Sequence, residues 1–508
     1  MKAKHSLSMS RAAVLLLGAV LCAQPLAGQE FWHEGRNVAG LSGSQPLGKQ
    51  AEATLFGKFA SGGFRTLSEG KTLWSVGASA QAETHFKDLV LVGDFGFTQE
   101  FGSQMMGSMF TEPGFYPVDV LEFTPGNKSK QTYDISGGLA WTGGGRWIPG
   151  FTARFRGVNY AKRKDLRHTT YRQELELVPS LLYDGGAWRI GASYIFEKNS
   201  EFIQAEQIGP AKADTYYAFL DKGLRYGTYQ AWDGSGIHLA EPGVDRFPVK
   251  QITHGGALQF SWGERLYADV EFTSSRGEVG EKGYTWFTFP GWEIATKALY
   301  NFTCGASTHT FRVAYDWGTV KLYENVIDKV TAGGVTTPHI LGGNRVYESR
   351  AGHFEFIYTW ERENGFLLQG DLYIDRNKDR STLVYPYMHL DGGTHLFYRV
   401  TARIPLGRQW SLTPSVLAGG GAEFEELIAD TAENLNVTAV PFRMSEWWDL
   451  EAEVADKPRV AASLTVRYTL PHLPLYIEAS AEYIHAFGVE LTPGNWRQRS
   501  YLMIGYKF

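Results

Sequence analysis

Charged side chains recur at alternate positions in adjoining stretches of this chain. Arg154 and Arg156 lie in one stretch and Glu174 and Glu176 in the next, with Arg172 and Arg189 alongside. The same rhythm picks out Asp269, Glu271, Arg312, Asp316, Glu355, Asp371, Arg399, Arg403, Arg459, Arg467, Glu478 and Glu482. Alternation of this kind places side chains on one face of a β-strand. Ions sharing an interior face must be paired or hydrated, because an isolated buried charge is too costly. Two kinds of chemistry follow. One is a hydrated lining whose mixed field passes polar solutes; the other is a set of salt-bridge ladders that fills an interior and holds its wall together.

Other residues could carry more specific chemistry. His85, His353 and His395 fall on the same faces as the charges, but the chain has no Gly-x-Ser-x-Gly elbow, His-Glu-x-x-His helix or phosphate-binding glycine loop. They are read as ordinary hydrogen-bonded histidines, and neither a catalytic residue nor a cofactor is expected. Asp375, Asn377, Asp379 and Ser381 have the one-in-two oxygen spacing of a calcium loop. Arg380 stands where that loop needs glycine and Pro386 where it needs a bidentate glutamate, so the segment is read as a hairpin tip and no metal is expected.

Two long segments hold the remaining candidates. Residues 199–249 contain Phe202, Tyr216, Tyr217, Phe219, Tyr226, Tyr229, Trp232 and Phe247. Their rings suit the apolar faces of a sugar or a peptide, but packing against one another is the simpler expectation. Residues 422–457 carry Glu423, Glu425, Glu426, Asp430, Glu433, Glu446, Asp449, Glu451, Glu453 and Asp456 around Trp447 and Trp448. Cation bridging to an anionic surface would use such acids, although a solvated acidic face is expected.

The elements that must position these residues are strands. Trp74, Val76, Ala78, Ala80, Ala82 and Phe86 share one face, while Ser75, Ser79, Gln81, Glu83 and His85 share the other. Comparable alternation places strands near 50–60, 73–86, 89–101, 131–142, 150–160, 170–183, 188–198, 250–262, 265–275, 291–302, 309–321, 346–360, 365–376, 394–406, 410–420, 459–469, 474–486 and 498–508, eighteen in all. The first and last have the weakest patterns, and sixteen remain without them. Short connections such as Lys87-Asp88, Gly143-Gly144-Gly145 and Gly407-Arg408 alternate with long ones at 102–130, 199–249, 322–345, 377–393 and 421–458.

The final strand is the most telling. From Tyr501, the positions Leu502, Ile504, Tyr506 and the terminal Phe508 alternate with Met503, Gly505 and Lys507. This ending resembles the assembly signal of Gram-negative outer-membrane β-barrels, and the resemblance extends over the chain from about residue 29 to 508. It is closest to an uncharacterised large outer-membrane barrel family, from which no site residues carry over. The fold expected is all-β, a transmembrane antiparallel up-and-down barrel with long extracellular loops and short periplasmic turns. Trp141, Tyr183, Trp188, Trp262, Phe302, Trp360 and Trp410 would then form the periplasmic aromatic girdle, and Phe59, Trp74, Phe101, Tyr133, Phe196, Trp292 and Trp317 the outer one.

The N-terminus agrees with that address. Lys2, Lys4 and Arg11 precede the apolar run from Ala12 to Ala23 and the small residues Ala27-Gly28, the order of a secretory signal peptide cleaved near Gly28. Domains are therefore expected as signal peptide 1–28, a short periplasmic segment 29–49 and a barrel 50–508. That segment is too short for the folded plug of a TonB-dependent receptor, and such receptors use about 22 strands. Cleavage leaves Cys304 as the sole cysteine, so no internal disulfide can form. Loss of the three basic residues takes the net charge from -5 to -8, which argues against nucleic acid as a partner.

The function expected is a channel passing small polar solutes, passively or under a loop gate. The alternative is a surface binding or assembly barrel with a closed lumen that works through its outer loops, with an outer-membrane enzyme behind both. The partners implied are membrane lipids and lipopolysaccharide, the barrel-assembly machinery and a surface lipoprotein.

Overall fold

The structure, a computed structural model, describes residues 27–43, 50–164, 166–206, 216–232, 246–263, 265–281, 284–382, 388–428 and 443–508. Residues 1–26 of the expected signal peptide lie outside this set, as do Asp430 and Glu433.

Helix α1 (Ala27–Glu34) and a 3-10 turn (Val38–Gly43) precede the strands. Seven follow: β1 Gln50–Gly62, β2 Thr72–Phe86, β3 Leu89–Ser108, β4 Asp119–Trp141, β5 Trp147–Lys162, β6 Arg167–Asp184 and β7 Trp188–Glu206. A short hairpin comes next, β8 Tyr216–Asp221 and β9 Gly227–Trp232. Then come β10 Arg246–Trp262, β11 Leu266–Glu281, β12 Tyr284–Cys304, β13 Ser307–Ala332, β14 Val335–Arg362, β15 Leu367–Thr382, β16 Met388–Leu406 and β17 Trp410–Ile428. Helix α2 (Met444–Asp456) leads into β18 Arg459–Thr469, β19 Leu475–Ala486 and β20 Trp496–Lys507.

Every pairing between neighbours is antiparallel. β7 pairs with β10 across the hairpin, and β20 pairs with β1 from Glu52 opposite Lys507 to Gly62 opposite Arg497. The wall is thus a closed barrel of eighteen strands, with β8 and β9 set apart. Closure satisfies the backbone groups that an open edge would leave bare in lipid.

The outer face is apolar. Leu55, Val76, Phe95, Ile135, Phe155, Leu175, Ile190, Leu258, Val270, Phe272, Val416, Leu464 and Ile504 all point away from the protein and are exposed. A belt of this size would drive aggregation in water and is what a bilayer solvates. Rings flank it: Trp74 stacks on Phe101 at 4.4 Å and Trp292 meets Trp317 at 4.8 Å at one end, while Trp141, Trp188, Trp262 and Trp410 stand exposed at the other. No described helix is long and apolar enough to cross a membrane. The strands do so, and the protein is a transmembrane outer-membrane barrel.

Segments expected as loops are partly strand. β3 and β4 run on to Ser108 and from Asp119, and β13 and β14 continue to Ala332 and from Val335. At the end of β13 both faces meet water, so the hydrogen-bonded ladder continues after the apolar alternation has stopped, whereas the β3–β4 extension is buried beneath the cover of the mouth. The expected hairpin tip at Asp375–Ser381 is likewise strand, inside β15. Its one-in-two oxygen spacing is the period of a strand, and Asn377 Nδ2 donates to Asp391 Oδ2 at 2.7 Å.

Candidate functional site, the lumen and its closures

The inward faces carry ion pairs. Arg154 reaches Glu176 at 3.3 Å, and Arg156 donates to Asp134 at 2.7 Å and approaches Glu174 at 4.0 Å. Arg172, beside Glu174, reaches Glu112 of the β3–β4 connection at 3.0 Å and lies 3.6 Å from the Phe115 ring. Burial pushes the Glu112 carboxyl up, but Arg172, Lys130 and Arg156 together hold it below the ordinary carboxylate range. Arg189 pairs with Asp184 at 3.1 Å, and Asp371 accepts from Gln369 and Tyr373. Asp316 stands opposite His353 in register, and Glu355 opposite Tyr373. His85 contacts Glu83 at 2.7 Å and His353 contacts Asp375 at 2.6 Å.

The N-terminal segment, expected on the periplasmic side, lies inside the barrel at its periplasmic end. Phe31, Trp32, Val38, Ala39 and Leu41 form one core with Val90, Ala140, Ile148, Leu182, Tyr267 and Leu299 of the wall. The wall is shaped for it. A Cβ on Gly150 would meet Val38 Cγ1 at 2.8 Å, and one on Gly191 would meet Asn37 Nδ2 at 2.5 Å. Arg36 bridges Glu176 and Glu271, the latter at 3.1 Å, while Arg312 reaches Glu34 at 3.4 Å. Asp269 accepts from Gln259, which itself accepts from Asn37 at 3.2 Å. The segment packs on β2–β7 and β10–β13. In the remaining sector Arg403 pairs with Glu361, Arg467 with Glu478 and Arg499 with Glu482, and the Arg499 side chain is 53% exposed. Arg399 lies over the Tyr373 ring and Arg459 over Phe397.

The outer mouth is crossed by the β8–β9 hairpin, which we call the strap. β8 adds to the end of β4, from Asp119 opposite Asp221 to Glu122 opposite Ala218. Its tip reaches the far wall: Lys222 Nζ meets Glu324 of β13 at 2.7 Å, Ser381 of β15 donates to the Lys222 carbonyl, and His389 Nδ1 of β16 lies 2.9 Å from the Leu224 carbonyl. Leu224 and Arg225 both hold positive φ, 57° and 56°, a conformation that is costly for side-chain-bearing residues. Arg225 grips Asp221 at 2.6 Å and Glu451 of α2 at 2.8 Å. Beneath the strap lies an apolar cluster including Phe110, Tyr116, Phe247, Trp286, Phe289, Tyr347 and Trp448.

The loop aromatics are therefore inside the lid. Tyr226, Tyr229, Trp447 and Trp448 are buried, and Tyr217 is partly so. Tyr216 and Trp232 bound the strap, their side chains outside the described set. The acidic segment is divided. Glu425, Glu426, Glu446 and Asp449 are exposed, as a solvated face would have them, whereas Glu451 binds Arg225 and Glu453 accepts backbone N–H groups from Leu491 and Thr492 at 2.7 and 2.8 Å. Glu425 also reaches His389. On the short helix Trp447, Trp448 and Glu453 are turned inward while Glu446 and Asp449 face out. A groove of about 300 Å³ lined by Phe311, Phe356, Tyr358, Gly370 and Tyr398 opens on the outer face, toward lipid rather than the lumen.

Sequence reading missed Glu34, Arg36, Glu112 and Arg225, all outside the alternating segments. The available signal was the inward-facing apolar positions Val90, Ala140 and Leu182 near strand ends, which need a cover.

No curated protein sequence matches the chain. Among solved structures, BauA, the ferric preacinetobactin receptor from Acinetobacter baumannii, is similar at a TM-score of 0.41 and 6% identity, over 90% of this chain and 80% of that one. The alcaligin outer membrane receptor FauA from Bordetella pertussis is similar at 0.43 and 10%, over 92% and 77%. OccAB2 from Acinetobacter baumannii is similar at 0.33 and 10%, over 91% and 98%. Scores this low bear on neither substrate nor mechanism. The model of a family described as a family of unknown function (DUF6850) matches residues 38–508, and the chain belongs to that family.

Proposed function

We propose that the protein is a gated outer-membrane channel for small polar solutes. The observation that carries this reading is the strap, which crosses the mouth on polar clamps at its tip, Lys222 to Glu324 and Arg225 to Glu451. Such clamps release without breaking the wall. Behind it the sector around Arg403, Arg467 and Arg499 supplies paired charges that water reaches in part, a lining suited to hydrated solutes. The lumen charges named from the sequence act in this proposal both as that lining and as anchors for the N-terminal segment.

A second reading, a barrel that binds or assembles through its outer loops with the lumen kept shut, is favoured by the apolar cluster under the strap. A surface lipoprotein and lipopolysaccharide are its partners. In both readings the chain is exported by a signal peptide cleaved near Gly28 and delivered by the barrel-assembly machinery through Leu502, Ile504, Tyr506 and Phe508. Phe508 itself donates its N–H to the Ala51 carbonyl at 2.8 Å, at the seam where the last strand meets the first.

The test is single-channel recording in a planar bilayer of refolded wild-type protein and of a variant lacking residues 216–232. Rare openings in the wild type and steady ohmic steps in the variant are expected. Silence from a correctly folded variant that also lacks the N-terminal segment would overturn the channel and leave the binding barrel.

A further inference from the structure

The end of α2 meets the wall at a group of side chains that the lining does not use. His395 of β16, Glu423 of β17 and Asp456, the last residue of α2, bring one ligand atom each within 4.8 Å of one another. His395 Nε2 touches Asp456 Oδ1 directly and lies 3.7 Å from Glu423 Oε1. All three side chains are sheltered, at 9%, 10% and 19% exposure. We propose that these residues form a Zn²⁺-class divalent metal site that pins the helix to the barrel.

The donor set fits that class. One imidazole nitrogen and two carboxylate oxygens suit a borderline cation such as Zn²⁺, with a fourth position left for water. Around a tetrahedral zinc with bonds near 2.0–2.1 Å, donor atoms stand about 3.3 Å apart, and the present separations bracket that value. The backbone makes room for this approach. A Cβ on Gly421 would meet His395 Cδ2 at 2.2 Å and Asp456 Oδ1 at 2.6 Å, and one on Gly393 would meet Glu423 Cγ at 2.9 Å. Any larger residue at position 421 would separate the imidazole from the carboxylate.

Two carboxylates and one imidazole meet here. Arg459, whose charge also acts on Asp456, directs Nη1 to the carbonyls of Val454 and Ala455 at the end of the helix and lays its guanidinium 4.5 Å from the Phe397 ring. A divalent ion takes the place of the hydrogen bond between His395 and Asp456 and neutralises both carboxylates. Because the donors come from two wall strands and the lid, the ion ties one to the other. Metal binding is measured without reference to conductance, so its failure and that of the channel reading are separate results.

The experiment uses untagged, refolded full-length protein stripped with EDTA. Zn²⁺ is titrated by calorimetry, and Co²⁺ serves as the absorbance probe. Expected are one equivalent of Zn²⁺, a tetrahedral Co²⁺ spectrum, and affinity lower by about 100-fold or more in His395→Ala and Glu423→Gln. His309→Ala, on the lipid face, should bind as the wild type does. Heat-modifiable gel mobility verifies that each variant is folded. Absence of a Zn²⁺ equivalent in the wild type, or affinity unchanged in both folded site variants, would overturn the proposal.

Discussion

Arg225 and Glu451 meet through two parallel hydrogen bonds, Nε to Oε2 and Nη2 to Oε1, both 2.8 Å. The arginine belongs to the strap and the glutamate to α2, so this pair joins the two parts of the lid. Bidentate guanidinium–carboxylate pairs are among the stronger protein hydrogen bonds. Here the pair is sheltered, with side-chain exposures of 8% and 13%, and it offsets the left-handed backbone at Leu224 and Arg225.

Arg225→Ala should therefore loosen the lid and spare the wall. Removing one partner of a buried pair leaves the other charge uncompensated, at a cost of about 3–5 kcal/mol. Faster hydrogen exchange is expected in residues 216–232 and 444–456, with β10–β20 wall amides unchanged. Exchange followed by mass spectrometry checks this. Unaltered protection of the strap would show that its other contacts suffice.

Acid should unlatch the same joint. Burial pushes the Glu451 carboxyl up, but Arg225 and the Trp447 indole N–H hold it below its ordinary value. A group depressed in the folded state contributes stability that is present above its unfolded pKa and lost as pH falls through the folded one. Since free glutamate titrates near about pH 4.3, the latch is complete at neutral pH and fails only below that range. Limited proteolysis of the lid across a pH series should show this transition in the wild type. Glu451→Gln should be loose at every pH, with the acid step gone.

At the periplasmic end, Gly150→Val should expel the N-terminal segment. Its Cβ would collide with Val38 Cγ1 at 2.8 Å and Ser180 Oγ at 2.7 Å, and neither the packed core nor the neighbouring strand can yield by that much. The variant is expected to keep its gel mobility and lose protection of residues 27–43 against protease added to that side. Arg36→Ala should act in the same direction more weakly, because Glu176 retains Arg154 at 3.3 Å.

The barrel was legible because lipid imposes a period of two on every crossing strand, and residues such as Val76, Val270 and Ile504 keep it. Where lipid ends, so does that constraint. The continuation of β13 to Ala332, the strap and α2 are held by contacts between residues far apart in sequence, such as Lys222 with Glu324 and Arg225 with Glu451, and no local pattern records them. The inward charges were legible as a face, but not their partners. Arg36 lies in the segment read as a short periplasmic N-terminus and Glu112 in one read as a connection, yet they complete pairs with Glu271 and Arg172.

The assignment of faces can be tested on adjacent residues of β11. Val270 lies on the lipid side, is 50% exposed and stands opposite Leu258, while Glu271 faces inward to Arg36. An arginine on the lipid face near the bilayer midplane costs about 2–4 kcal/mol, so Val270→Arg should lower stability in phospholipid vesicles by that order. Glu271→Gln leaves the lipid face untouched and removes one of two carboxylates on Arg36. Its wall should unfold at the wild-type denaturant concentration, with only the N-terminal segment loosened. Equilibrium urea unfolding read by gel mobility separates the two. A larger loss from Glu271→Gln than from Val270→Arg would mean that the two faces had been exchanged.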